Sequence, residues 1–504
     1  MSNLGHEIMI PSNNKRGKHR SQENGDRLSD LPDCVLLHIL SYLNSIQAVQ
    51  TCILSTRWKH LWKHIPTVKL HYLRNSPTVK RFDIFLSNML ALRDNSIALQ
   101  ALNLGRGLIE PQLLEKILNC VYSHNTHIHR LEISAISQSY PILSCVSSCK
   151  ALTSLKLSLY NIGSRNYTET LFPTSLNLPL LTSLYLENFT FCGDEKGCAE
   201  PFSLFTKLNS LIIRHSKIKK AHILNISNET LVDLAMHYNS FNFAEIQLST
   251  PSLCRFTFPD SLDQKICGTG LSCVKQVNIN APQNSYSMKH PFVLLGWLQD
   301  LANVESLKVT SITLQILSLV PNLLDVKLAS LCNLKSLDIE LRPLHGEFLL
   351  LLMKDDMLKK AIAKSHEEVA KLRKAFKAGL KLHPIPDGIV DFLRQNSPLA
   401  EVNITTKYKD CFNLKQVEEY VNGAKNTSYP QQFVVPASTA SPSAALPSLH
   451  LCHAKKDTKR SGKIMSRMRN EIVGFKVKEK GESINVSDLR LWFPLGYVWI
   501  DGME

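Results

Sequence analysis

Two hydrophobic rhythms divide this chain. Between Leu28 and Leu70 the apolar residues fall at helical spacing: Leu36, Ile39, Leu40 and Leu43 stand at i, i+3, i+4 and i+7 on one face of a helix. Pro32 sits at its start, where a first turn tolerates a missing N–H. Asn44 and Ser45 interrupt the pattern, and residues 46–52, with Ala48 and Val49, predict a second short helix. Ser55 can cap a third, in which Trp58, Leu61 and Trp62 share one side before Ile65-Pro66 stops it. A unit of about 40 residues rarely holds itself together without a metal or disulfide. Its surplus of leucine and tryptophan therefore implies a partner surface.

From Leu99 the rhythm changes to L-x-x-L-x-L, in copies LQALNL at 99, IHRLEI at 128, LTSLKL at 152, LTSLYL at 181, LNSLII at 208 and LVDLAM at 231. Looser copies follow at 253, 274, 304, 323 and 334. Spacings between the first nine starts run 29, 24, 29, 27, 23, 22, 21 and 30, the period of leucine-rich repeats. The last gaps, 19 and 11, do not fit, so one of the segments at 323 and 334 is read as a connector. Leucines at positions 1, 4 and 6 of each copy stack on those of the next and bury a core that no single repeat could make. The predicted fold is α/β: three N-terminal helices, then an irregular leucine-rich-repeat solenoid with a concave parallel sheet.

Side chains alternate across a strand, so residues between those leucines point outward. One outward column reads Asn103, Glu132, Lys156, Tyr185, Ile212, Ala235, Thr257, Asn278 and Lys308, and its neighbour reads Ala101, Arg130, Ser154, Ser183, Ser210, Asp233, Arg255, Gln276 and Ser306. Neither carries one dominant charge. That favours a mixed protein surface as the ligand over a charged polymer, with Lys156, Tyr185, Arg255 and Lys308 as the candidate substrate-binding residues.

The first rhythm resembles an F-box, the motif that docks a protein onto the Skp adaptor of an SCF (cullin-RING) ubiquitin ligase. The resemblance rests on Leu31-Pro32, Ile39-Leu40, Leu43, Ala48-Val49 and the closing Leu54-Ser55-x-Arg57-Trp58-x-x-Leu61-Trp62; Cys34 departs from it where plant relatives often carry an acid. It implies that Leu31, Pro32, Leu36, Ile39, Leu40, Leu43, Val49, Leu54, Trp58, Leu61 and Trp62 engage the adaptor. An F-box followed by irregular leucine-rich repeats resembles the plant F-box/LRR class, and residues 385–405 resemble its FBD-like terminal segment, where S-P-L-x-x-V-x-I would add a strand. The implied function is a non-catalytic substrate receptor of an SCF-type ligase, with Skp adaptor, cullin and a target protein as partners.

The resulting domains are a leader at 1–25, the F-box at 26–70 and a helical connector at 71–98, where Phe82, Phe85, Leu86, Met89 and Leu90 have helical spacing. Repeats follow at 99–345, then a basic amphipathic helix and the FBD-like segment at 346–428. A Pro/Ser/Ala linker at 429–448 leads to a basic tail at 449–504. The helix is expected over residues 357–382, lying on the repeats or in solution, with coiled-coil pairing as the alternative.

Composition narrows the options. Hydrophobic residues make up 44% of 504, enough for a large core, and the longest apolar run, Phe348 to Met353, is six residues, far short of the roughly 20 that span a bilayer. The N-terminus lacks a signal-peptide core, so no membrane partner is expected and the cytosol or nucleus is the expected location. Thirteen cysteines without a C-x-x-C indicate reduced thiols. The net charge of +15 gathers in 354–381, nine Lys/Arg against four Asp/Glu, and in 455–480, ten against three, leaving the middle nearly neutral. Those stretches raise the alternative of a nucleic-acid- or chromatin-associated protein, which the near absence of aromatic residues from both argues against. The cluster NKRGKHR at 14–20 is read as a solvated tail in preference to a nuclear import signal. No phosphate loop, G-x-S-x-G or closed set of metal ligands appears, and His124, His127 and His129 read as loop histidines. No cofactor is expected.

Overall fold

The structure is a computed structural model that describes residues 31–71, 79–109, 111–136, 139–160, 169–239, 245–258, 262, 264–282, 289–345, 347–380 and 382–423. The leader, the Pro/Ser/Ala linker and the basic tail with its run at 455–480 lie outside these residues. The described residues form two compact units, one from those within Met1–Leu73, Ser87–Thr190 and Leu204–Leu208, the other from those within Arg74–Leu86, Phe191–Ser203 and Asn209–Glu504.

The first unit begins with helix α1, Asp33–Tyr42, whose N-cap is Pro32, and helix α2, Ser45–Gln50. Between them Asn44 explains the interruption: its side chain accepts from Ile46 N at 3.0 Å, and Gln47 Oε1 accepts from Asn44 N at 3.4 Å, a capping box. The expected third α-helix does not form. Trp58 N and Lys63 N each bond three residues back, to Ser55 O and His60 O, and residues 61–64 are a 3-10 turn. Tight i→i+3 turns compress this stretch so that Trp58, Leu61 and Trp62 all reach the core.

Strands Thr67–His71, Ala101–Leu108, Arg130–Ile136, Ser154–Tyr160 and Ser183–Glu187 then form a parallel ladder. Its first strand lies in residues that the motif reading gave to the F-box, because Val68 and Leu70 alternate inward and Lys69 N is held by Ser45 Oγ at 3.0 Å. The strand thus joins the end of the helical unit to the ladder. Return segments include helices Pro111–Ser123 and Ser139–Ser148, the former burying Leu113, Leu114, Ile117, Leu118 and Val121 at helical spacing. The connector forms helix Val79–Leu92, with Phe82, Leu86 and Met89 buried.

In the second unit the parallel ladder strands are Ser210–Arg214, Asp233–His237, Arg255–Thr257, Gln276–Ile279, Ser306–Thr310, Ser336–Leu341 and Glu401–Thr406. The segment at 334 supplies a strand, whereas that at 323 is a connector containing the 3-10 turn Leu323–Asp325. The FBD-like segment adds the last strand, as its V-x-I pattern implied. Asn396 anchors it, accepting Leu328 N at 2.6 Å and donating to Phe392 O at 2.8 Å. A second parallel sheet, Cys198–Ala199, Ile223–Ser227, Glu245–Ser249 and Lys265–Cys267, takes the place of return helices over residues 198–267, before the return helix His290–Asp300, and the six-residue consensus carried no sign of it.

The single helix expected over 357–382 is two, Glu347–Ile362 and His366–Lys377. Ser365 breaks it by capping the second, accepting from Glu368 N at 3.2 Å. No helix among the described residues is long and apolar enough to cross a membrane.

Candidate protein-binding surfaces

Leu36, Leu40, Val49, Trp58, Leu61 and Trp62, all expected at the adaptor, are buried within the first unit, so in the chain by itself they form the F-box core. A short motif does not separate residues that shape a domain from residues that it presents. Trp58 is 6% exposed, and so large a ring inside so small a domain is its core. Of the remaining expected positions, Pro32 and Leu54 are exposed and Leu31, Ile39 and Leu43 are half-buried.

Three further residues join the exposed set. Val35 and Tyr42 lie with Ile39 on the solvent side of α1, spaced i, i+4 and i+7, and Ile53 precedes Leu54 in the turn after α2. Tyr42 is 69% exposed, Ile53 59% and Leu54 42%. The Tyr42 ring is oriented, with His38 edge-on at 5.1 Å and Lys69 Nζ 5.7 Å from its centroid. Arg57 clamps the start of α1 to the following turns, its Nη2 donating to Asp33 Oδ1 at 2.6 Å and to the carbonyl of Leu31. Several large apolar side chains held in water by rigid short elements suit burial against another protein.

On the ladder of the first unit the derived register holds. Ala101, Arg130, Ser154 and Ser183 are in one row, and Asn103, Glu132, Lys156 and Tyr185 in the next. Lys156 pairs with Glu132, which also accepts from Asn103 Nδ2 at 2.5 Å. Lys156 Nζ lies 5.2 Å from the Tyr185 ring centroid, and Tyr185 OH donates to Glu187 Oε2 at 3.0 Å. Ser158 Oγ donates to the same oxygen at 2.7 Å. The outward face is thus a connected row of acid, base, ring and acid.

In the second unit Arg255 is held by both carboxylate oxygens of Asp233 in the adjacent strand, and that hydrogen-bonded pair raises the guanidinium's pKa further. Lys308 is exposed, in register between Asn278 and Asp338. The structure therefore brings Lys156 and Tyr185 together and places Arg255 and Lys308 on separate strands of the other unit.

A third outward column lies two residues beyond the second and was missed. It holds Ser158 and Glu187 in the first unit and Arg214, His237 and Glu340 in the second, with Ser158 and Glu340 covered by their neighbours. The signal was the run RHSKIKKAH at 214–222, in which six of nine residues are Lys, Arg or His and none is acidic, so this part of the middle is not neutral. His215 and Tyr238, each just past a strand, adopt left-handed φ of 47° and 50°, where a side chain costs of order 1 kcal/mol. Their rings stack 5.2 Å apart and 13° from parallel, with Arg214 Cζ 5.7 Å from the Tyr238 centroid.

His124 is buried while His127 and His129 are exposed, and among the described residues no group of three His, Cys, Asp or Glu is placed to hold a metal ion. Described cysteines are free thiols.

Residues 28–69 match the F-box domain family. The chain is similar to curated Arabidopsis thaliana proteins: an F-box/LRR-repeat protein, 26% identical over 333 residues, 64% of this chain and 93% of that protein; and an FBD-associated F-box protein, 28% identical over 232 residues, 45% and 54%. An F-box/FBD/LRR-repeat protein is 26% identical over 242 residues, 47% and 55%. The matched part thus spans about half the length of two of these relatives. The chain carries an F-box followed by ladders of the leucine-rich-repeat type.

Proposed function

We propose that this chain is the substrate-receptor subunit of an SCF-type ubiquitin ligase. Its F-box would bind a Skp adaptor, and through it a cullin, while the outward ladder faces hold a protein to be ubiquitinated. The observation that carries the reading is the F-box match at 28–69 on a domain that leaves Val35, Tyr42, Ile53 and Leu54 exposed. Binding and geometry are the mechanism, since the transfer chemistry belongs to other subunits. The basic helices do not favour nucleic acid, because Lys359, Lys360 and Lys371 each pair with a carboxylate four residues earlier. The test is co-purification of the full chain with adaptor and cullin from a reducing lysate. Adaptor in the wild-type eluate and its loss in a Val35→Asp, Leu54→Asp double variant supports the reading; an eluate that never contains adaptor overturns it.

A further inference from the structure

We infer that the strand-end ledge of Arg214, His215, Lys217, Lys220 and Tyr238 binds a short anionic segment of a protein, clustered carboxylates or phosphorylated side chains. This deepens the substrate-receptor reading and rests on it, by naming the chemical class of the captured substrate. The ledge is built, not incidental. Asn239 locks two successive repeats together, its Oδ1 accepting from Ser216 N at 2.9 Å and its Nδ2 donating to Ile213 O at 3.2 Å, while His215 N donates to His237 O at 3.1 Å. These buried bonds over-determine the turn and hold His215 and Tyr238 in their left-handed conformations with the rings parallel and in solvent.

The backbone that carries Lys219 and Lys220 is held by the turn at Gly193. Gly193 N donates to Lys219 O at 2.9 Å, and a Cβ at Gly193 would stand 2.3 Å from Lys220 O, so only glycine permits this approach. Lys217 and Lys220 are both exposed, and among the described residues neither is within ion-pair distance of a carboxylate. Arg214 over the Tyr238 ring, with exposed Lys217 two residues after His215 in the chain, suits an anionic group flanked by side chains that pack on a ring face. Length decides against nucleic acid. A strand of phosphates needs a cationic track, and the basic run 214–222 is short, with Asp194 and Glu195 following the Gly193 that packs against it.

The experiment is fluorescence anisotropy with the full chain and three labelled probes: a peptide of alternating aspartate and glycine, the same peptide with phosphoserine for aspartate, and a single-stranded oligodeoxynucleotide of equal charge. Binding of both peptides assigns clustered carboxylates, and binding of the phosphopeptide alone assigns phosphorylated side chains. Lys217→Glu with Lys220→Glu should weaken peptide binding by about tenfold or more, the effect of losing charge-assisted contacts. His215→Gly with Tyr238→Gly removes the rings while suiting the left-handed backbone, and should also weaken binding in a protein that remains folded. Binding of neither peptide, affinity indifferent to the charge reversal, or displacement of both peptides by the oligonucleotide overturns the inference. Adaptor co-purification on the same preparations separates the two levels: adaptor retained with peptides unbound sinks this inference alone, and adaptor absent sinks the receptor reading beneath it.

Discussion

The F-box and the ladder that follows it in the first unit treat apolar residues in opposite ways. The ladder sends Leu131, Leu155 and Leu184 inward in register and leaves Glu132, Lys156 and Tyr185 outside, paired to one another. The F-box is too small to cover its own hydrophobic residues: it buries Leu36, Leu40, Trp58 and Trp62 and leaves Val35, Tyr42, Ile53 and Leu54 in water. Repetition explains the contrast, because each ladder strand finds the next repeat to cover it, whereas a single short helical unit has no next copy. An apolar exposed set suits a constant partner bound by burial, and a polar, mutually paired face suits selection among partners by complementarity.

The contrast breaks most visibly if the buried set is cut. Trp58→Ala should destabilise the protein by about 3–5 kcal/mol and Leu155→Ala by about 2–5 kcal/mol, read by denaturant unfolding. A Trp58→Ala protein of unchanged stability would return that residue to the partner surface. Cutting the exposed set should do the reverse: Val35→Asp with Leu54→Asp should leave stability within about 0.5 kcal/mol for each surface change. Adaptor affinity should drop by about 30-fold or more, the effect of losing about 2 kcal/mol at an interface, measured by calorimetric titration.

A third prediction concerns the buried carboxylate Glu340 of the second unit. Burial pushes its pKa up, but Arg342 and Lys407 at 3.4 and 3.3 Å outweigh that and hold it below its ordinary 4.5. A pKa depressed in the folded state adds stability above the unfolded value and loses it as pH falls through the folded one. Glu340→Gln should therefore cost roughly 1–3 kcal/mol near neutral pH, and its deficit against wild type should shrink as pH falls below 4.5. A deficit constant with pH would mean that packing, not charge, is what the carboxylate supplies. The smallest effect belongs to the outward face, where Lys156→Glu should change stability by about 1 kcal/mol or less while altering which protein co-purifies under proteasome inhibition. Unfolding by this variant would show the paired face to be structural.

Much of this was legible from residue order. The L-x-x-L-x-L period placed most ladder strands, and alternation put Lys156 beside Glu132 and Tyr185 in the correct register. The conflict of spacing at 323 and 334 correctly isolated one connector. What was not legible depended on partners distant in sequence. Thr67–His71 is a strand because Ala101–Gly105 lies beside it, and residues 55–64 turn tightly because Trp58, Leu61 and Trp62 must all reach one core.

Periodicity by itself determined the class of fold, the inward and outward faces and the F-box motif, since all three are written in spacings of a few residues that each segment carries alone. Only tertiary structure decided which F-box residues are core and which are surface, that Asn239 locks Ser216 and thereby presents His215 against Tyr238, and that Arg342 and Lys407 surround Glu340. Burial and pairing are properties of neighbours, and the chain acquires those neighbours only when repeats stack on one another.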